Sequence, residues 1–111
     1  MPRDSRVYLE DILDAIGAIR DYASGMTREQ FGRDRKTVDA VLRNLEVIGE
    51  AVKHVPADIR SQGPEIEWQK IAGLRDVLIH GYFGVDLDIV WDIVVHKLPA
   101  LGRQVRTLLE A

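Results

Sequence analysis

Arg75, Asp76, His80 and Tyr82 sit within one eight-residue stretch, Arg75-Asp76-Val77-Leu78-Ile79-His80-Gly81-Tyr82, whose other members are apolar or glycine. Arginine is charged at any relevant pH and can grip a phosphate through two parallel hydrogen bonds. Histidine is the side chain whose unperturbed titration lies near neutrality, so it can take and return protons there. A fixed cation beside a proton shuttle, with no neighbouring cluster of metal ligands, is what cleavage of a phosphodiester by an RNA 2′-hydroxyl needs. RNA is therefore the first substrate to consider.

Helix geometry adds constraints. Arg75 and Tyr82 are two turns apart and share a face. Asp76 and His80 are also neighbours, so the carboxylate can orient the imidazole. Arg75 and His80, however, lie roughly 140° apart around a regular helix and converge poorly on it. Either the helix ends or distorts about His80, which Gly81 permits, or two chains pool their residues. Both together are expected.

The elements that must position this stretch are helical. With 111 residues, the chain is expected to be a single domain over 1–111. At 46% hydrophobic and 30% charged it has the composition of a folded globular protein. Cysteine is absent, which excludes disulfides and thiolate metal sites. No apolar run approaches the roughly 20 residues that span a bilayer. The start, Met1-Pro2-Arg3-Asp4-Ser5, has no apolar core like that of a signal peptide. The expectations are no membrane and a cytoplasmic location.

Ser5 is placed to cap a first helix carrying Leu9, Ile12, Leu13, Ile16 and Ile19 and ending near Gly25. Thr27-Arg28-Glu29-Gln30 has capping-box spacing and predicts a short turn of helix through Phe31. Asp34 opens a second long helix with Val38, Val41, Leu42, Leu45, Ile48, Val52 and Val55 at steps of three and four, stopped by Pro56. Residues 57–65 read as a loop with room for one helical turn. A third long helix is expected from about Glu67 to His80, with Gly81 and Gly84 at its end. Asp86 can cap a last helix, which Pro99 should kink or split. The sum is an all-α, up-and-down bundle of four to five helices with its last helix kinked near Pro99.

Arg75, His80 and Tyr82 spell R-x4-H-x-Y on the third long helix of a small all-α chain. This resembles the HEPN superfamily, and specifically the HepT-like toxins encoded beside a minimal nucleotidyltransferase antitoxin. Leu45-Glu46-Val47-Ile48-Gly49-Glu50-Ala51 is similar to the family's Gly-Glu-Ala segment, and Val85 to Asp92 with Leu98-Pro99 is similar to its final helix. The likeness runs from about Arg6 to Leu109. It implies a metal-independent ribonuclease working as a homodimer, with Arg75 and His80 of two chains facing one cleft. It also implies that Asp76 orients His80, and that the nucleotidyltransferase transfers AMP to Tyr82 as the neutralising step. No cofactor is implied.

Other residues have blander readings. Glu50 is a buried polar anchor between helices or a second carboxylate near the site, with the structural role preferred; Arg43 lines the cleft or faces solvent. His54 and His96, each beside a lysine, read as solvated helix-end partners. Trp68 and Trp91 read as core or interface anchors. The histidines at 54, 80 and 96 lack close ligand spacing, and Asp86, Asp88 and Asp92 have a helix-cap explanation, so no metal site is expected. The net charge of −3 argues against a general nucleic-acid coating protein, although residues 28–43 carry five cations against three acids. The acidic net charge also suits a competing function: a non-catalytic helical subunit that docks a nucleotidyltransferase and binds nucleotide, with Arg75 on a phosphate.

Overall fold

A computed structural model of the chain describes residues 4–74 and 86–111. The first helix, α1, spans Ser5–Ala23. Its cap is Asp4, whose carboxylate accepts the Arg6 N–H at 2.9 Å. The cap thus falls one residue ahead of the expected Ser5, because a carboxylate reaches the second helical N–H as readily as a hydroxyl does. Leu9, Ile12, Ala15, Ile16, Ile19 and Ala23 form its buried stripe, with Leu13 packed at the edge. Gly25, at φ +75°, turns the chain after it, a conformation that glycine adopts without a Cβ clash.

The capping box at Thr27 closes in both directions and starts α2, Arg28–Arg33, which runs two residues past the expected end and buries Phe31 completely. Asp34 ends α2 and caps α3, Arg35–Lys53, accepting the Thr37 N–H at 3.1 Å. Those contacts hold its carboxyl below the ordinary aspartate value, the Thr37 N–H first among them. Val38, Val41, Leu45, Ile48 and Val52 of α3 pack along α1.

Pro56 precedes the short helix α4, Ala57–Arg60. Arg60 then turns back on α3: Nε donates to the Val55 carbonyl at 2.8 Å, and Nη2 reaches the carbonyls of Val52 and Lys53 at 3.3 and 3.4 Å. A helix leaves its last carbonyls unpaired, so one guanidinium here does the work of a C-terminal cap. The helix α5, Trp68–Ala72, packs against α3. Trp68 is buried, and its indole N–H donates to the Gly63 carbonyl at 3.0 Å. The remainder of the predicted third long helix lies outside the described residues.

Asp86 caps α6, Leu87–Asp92, accepting N–H groups of Asp88 and Ile89. A π segment, Ile93–Lys97, follows, and then α7, Leu98–Glu110, which packs on α1. The break expected at Pro99 takes this form. The Leu98 N–H donates to Ile93, five residues back, so the widened turn is complete just before the residue that has no N–H to give. The result is the all-α bundle, its last helix interrupted ahead of Pro99. No strand occurs among the described residues, and none of them belongs to a helix long and apolar enough to cross a membrane. The described core contains no buried polar or charged residue.

Candidate functional site

Arg75, Asp76, His80 and Tyr82 lie outside the described residues. The frame that delivers them is described on both sides. Upstream, α5 brings the chain to Leu74 along α3, fixed by Trp68. On its outer face Glu67 and Lys70 pair at 2.6 Å, one turn apart. That hydrogen bond, reinforced by the charge attraction, lowers the Glu67 carboxyl and raises the Lys70 ammonium from their ordinary values. Downstream, the chain re-emerges at the Asp86 cap, and Asp88 receives Arg28 Nε from α2 at 2.6 Å. Leu87 packs against the core beside Gly32.

Arg43 and Glu50, on α3, are brought together. Both open into a cleft of about 420 Å³ whose other walls include Tyr8 and Asp11 of α1, Glu46 and His54. Arg43 Nη1 stands 3.9 Å from Glu46. Glu50 Oε1 is 3.4 Å from His54 Nε2, and the His54 ring stacks on Tyr8 with centroids 5.1 Å apart and planes at 18°. Two expectations change here. Glu50 is not a buried anchor: its side chain is 49% exposed, on the cleft wall. His54 is more than a solvated helix end, because it closes α3 and holds Tyr8 of α1. Three carboxylates against one arginine and one imidazole would repel a phosphate and suit ribose hydroxyls or amino groups better.

Tyr8 and Asp11 were not singled out from the sequence. Their signal is periodic: 8 and 11 on α1, and 43, 46, 50 and 54 on α3, are polar positions recurring at three and four along the flank of each apolar stripe. Several other acids and cations have local tasks. Asp92 holds His96 Nδ1 at 2.8 Å, Asp86 caps, Asp88 binds Arg28, and Arg35 faces Asp39 at 3.6 Å. Among the described residues no group of three or more His, Asp or Glu side chains is arranged to hold a metal. Trp91 is half-buried and tilts against Phe31 at 5.1 Å.

A second concavity, of about 490 Å³, lies between α5 and the last helix, bordered by Leu74, Ile93, His96 and Gln104.

The family model described as "Ribonuclease HepT-like" matches residues 12–108. The chain belongs to the HepT-like ribonuclease family. The region of this HepT-like chain that matches includes Arg75 to Tyr82, Arg43, Glu50 and His54, and begins after Tyr8 and Asp11. Three relatives are similar over 83–94% of their own lengths. A Methanocaldococcus jannaschii protein provisionally named as an RNase is 49% identical over 89% of this chain and 83% of its own. A Thermococcus cleftensis protein named "Probable ribonuclease HepT" is 46% identical over 91% and 92% respectively. A provisionally named RNase from Caldanaerobacter subterraneus is 40% identical over 95% and 94%. No solved structure gives a significant match to the chain.

Proposed function

We propose that this HepT-like chain is a metal-independent endoribonuclease that works as a homodimer in the cytoplasm, the toxin of a HEPN/nucleotidyltransferase toxin–antitoxin pair. The observation that carries this is the ribonuclease-family match over residues 12–108, a range containing the R-x4-H-x-Y residues. In this scheme His80 takes the 2′-hydroxyl proton, the 2′-oxygen attacks phosphorus, and the P–O5′ bond breaks to leave a 2′,3′-cyclic phosphate. The partner subunit's His80 protonates the departing 5′-oxygen. Arg75 balances the charge that builds on the phosphorane-like transition state, and Asp76 holds His80 in the useful tautomer.

Neutralisation uses the same stretch. The antitoxin would transfer AMP from ATP to the Tyr82 oxygen, releasing pyrophosphate. A phosphate attached on the face shared with Arg75 meets the site's own cation and fills the space that RNA would occupy. Glu50 and Arg43 are candidate supporting residues, through the cleft that they share.

The test is cleavage of defined RNAs by purified protein in EDTA. Arg75→Ala and His80→Ala should each lower the rate by roughly 10²–10⁴-fold, and the wild-type product should end in a cyclic phosphate. Full activity in both variants removes the chemistry. A wild-type protein that cleaves nothing yet binds the nucleotidyltransferase tightly would select the non-catalytic docking subunit instead. Intact mass after co-expression with the partner should show AMP additions that Tyr82→Phe abolishes.

A further inference from the structure

Helices α1 and α7 lie side by side and antiparallel. At one end Arg6 Nη2 donates to the Leu109 carbonyl at 3.0 Å. Midway, Ile16 stands 3.7 Å from where a Cβ on Gly102 would be, and at the other end Arg20 shares a groove with Leu98 and Pro99. This register puts Glu10 level with Arg106, and Asp14 level with Arg103. All four side chains are exposed, and none makes an ion pair among the described residues. Helical spacing sets Glu10, Asp14 and Asp21 along the outer side of α1, and Pro99, Arg103 and Arg106 along the matching side of α7. One helix thus presents a row of carboxylates and its neighbour a row of guanidiniums, neither engaging the other.

Between the rows runs an apolar strip of half-buried Leu13, Pro99 and Leu109. It continues into a groove of about 220 Å³ edged by Val94 and by Val95, which is 42% exposed. Gly17 lies exposed in the same strip. A Cβ there would meet nothing within 4 Å, so no neighbour in the bundle calls for glycine. Glycine inside a helix is nevertheless destabilising relative to alanine. Such a residue gains a purpose when a second backbone approaches closely.

A second copy supplies that backbone and the missing charge partners together. Turning a copy over about a two-fold axis that lies on this face, parallel to both helices, sets its α7 over the first α1 and its α1 over the first α7. Levels along the helices are unchanged by that rotation. The partner's Arg106 therefore meets Glu10, the partner's Arg103 meets Asp14, and symmetry repeats both pairs. The partner's Glu110 falls level with Arg6 in the same way. An axis laid across the helices instead puts α7 on α7, arginine row against arginine row, which opposes docking. RNA fits this face less well, because a phosphate chain would run against the carboxylate row.

We infer that the α1–α7 face is the contact between two copies of this chain, with the carboxylates of α1 paired to the arginines of the partner's α7 and Gly17 admitting the close approach. The inference rests on the homodimer in the reading above and names its interface; it does not depend on the cleavage chemistry.

The experiment measures self-association of the full chain by sedimentation equilibrium, with the melting temperature as the check on folding. Wild type should be a dimer that weakens as salt is raised. Arg103→Glu and Arg106→Glu together should raise the dissociation constant by about 100-fold or more, since like charges then face each other. Adding Glu10→Arg and Asp14→Arg should bring it back to within about tenfold of wild type. Gly17→Leu should also dissociate the dimer without lowering the melting temperature of dilute protein, because leucine is the better helix former and its side chain has open space in the monomer. Wild-type association in every variant overturns this face and leaves the homodimer standing on another. Loss in the arginine variant with no recovery in the four-site variant, at an unchanged melting temperature, overturns the pairing. A variant that stays dimeric but no longer binds the nucleotidyltransferase gives the face to that partner instead. A wild type that is monomeric at every concentration ends the homodimer and this inference together.

Discussion

Upstream of the Arg75–Tyr82 stretch the chain is held by a buried indole, whereas downstream it is held by a carboxylate cap and an ion pair. Trp68 is 9% exposed and anchors a helix of only five residues, too short to persist on its own backbone bonds. The downstream anchor buries less: Leu87 is half-buried, Asp88 is 80% exposed, and Arg28 reaches it from the other long-range neighbour, α2. Apolar burial is nearly indifferent to salt, while an exposed ion pair is screened by it. Added salt should therefore weaken the Arg28–Asp88 anchor of α6 first and leave the Trp68 anchor of α5 in place.

The largest expected effect is on the upstream side. Trp68→Ala should lower stability by about 3–5 kcal/mol, the usual range for deleting a buried aromatic ring. Trp68→Phe should keep most of the packing and lose about 1 kcal/mol, for the indole hydrogen bond to Gly63. Denaturant unfolding at low and high salt checks both, and the two deficits should not change with salt. A deficit for Trp68→Ala below 1 kcal/mol would erase the contrast between the anchors.

Next in size is the support of α2, which carries Arg28. Thr27→Ala removes one half of a capping box and should cost about 1 kcal/mol. The Arg28–Asp88 pair should come below that. A double-mutant cycle with Arg28→Met and Asp88→Asn is expected to give a coupling of about 0.2–1 kcal/mol. In 1 M salt it should fall toward zero. Coupling that survives high salt would mean that Arg28 holds α6 by packing over Gly32, and the downstream anchor would then resemble the upstream one.

Local signals made most of the frame legible. The stripes of α1 and α3 repeat at three and four, and Thr27, Asp34 and Asp86 each cap the helix that their type and position announce. What escaped notice depends on groups distant in sequence. Arg60 finds the carbonyls at the end of α3, Tyr8 finds His54, and Arg28 finds Asp88 only once the chain has folded. No periodicity encodes such meetings. Pro99 announced a break but not its form, since a kink and a widened turn both relieve a missing N–H. For the site, the motif residues declared themselves by chemical type, and Glu50 by its segment. Its exposure on the cleft wall was decided by which side of α3 the apolar stripe takes, and a helix flank can be buried or open with the same spacing.

The smallest expected effect separates, by pH, the two faces of the upstream anchor. Glu67 and Lys70 sit on the outer face of α5, exposed and within one turn of each other, so their hydrogen bond steadies that turn, while Lys97 of the π segment adds a smaller charge attraction to Glu67. The Glu67 carboxyl is lowered from its ordinary value of 4.5 by the Lys70 hydrogen bond. Its contribution is therefore fully present above pH 4.5 and is lost as pH falls through the lowered value. Lys70 is raised from 10.5 by the same bond, so its contribution is present below that pH and lost as pH rises through the raised value. The melting-temperature gap between wild type and Lys70→Met should thus be a low plateau that closes at both ends, below about pH 4.5 and above about pH 10.5. Salt should flatten it, because solvent screens an exposed pair. The Trp68→Phe deficit, by contrast, should run level through the acid limb, since an indole and a peptide carbonyl do not titrate there. A Lys70→Met gap that persists at pH 3 would place the lysine's value in the packing of its stem over α5 rather than in its charge, and the upstream anchor would then be apolar on both its inner and outer faces.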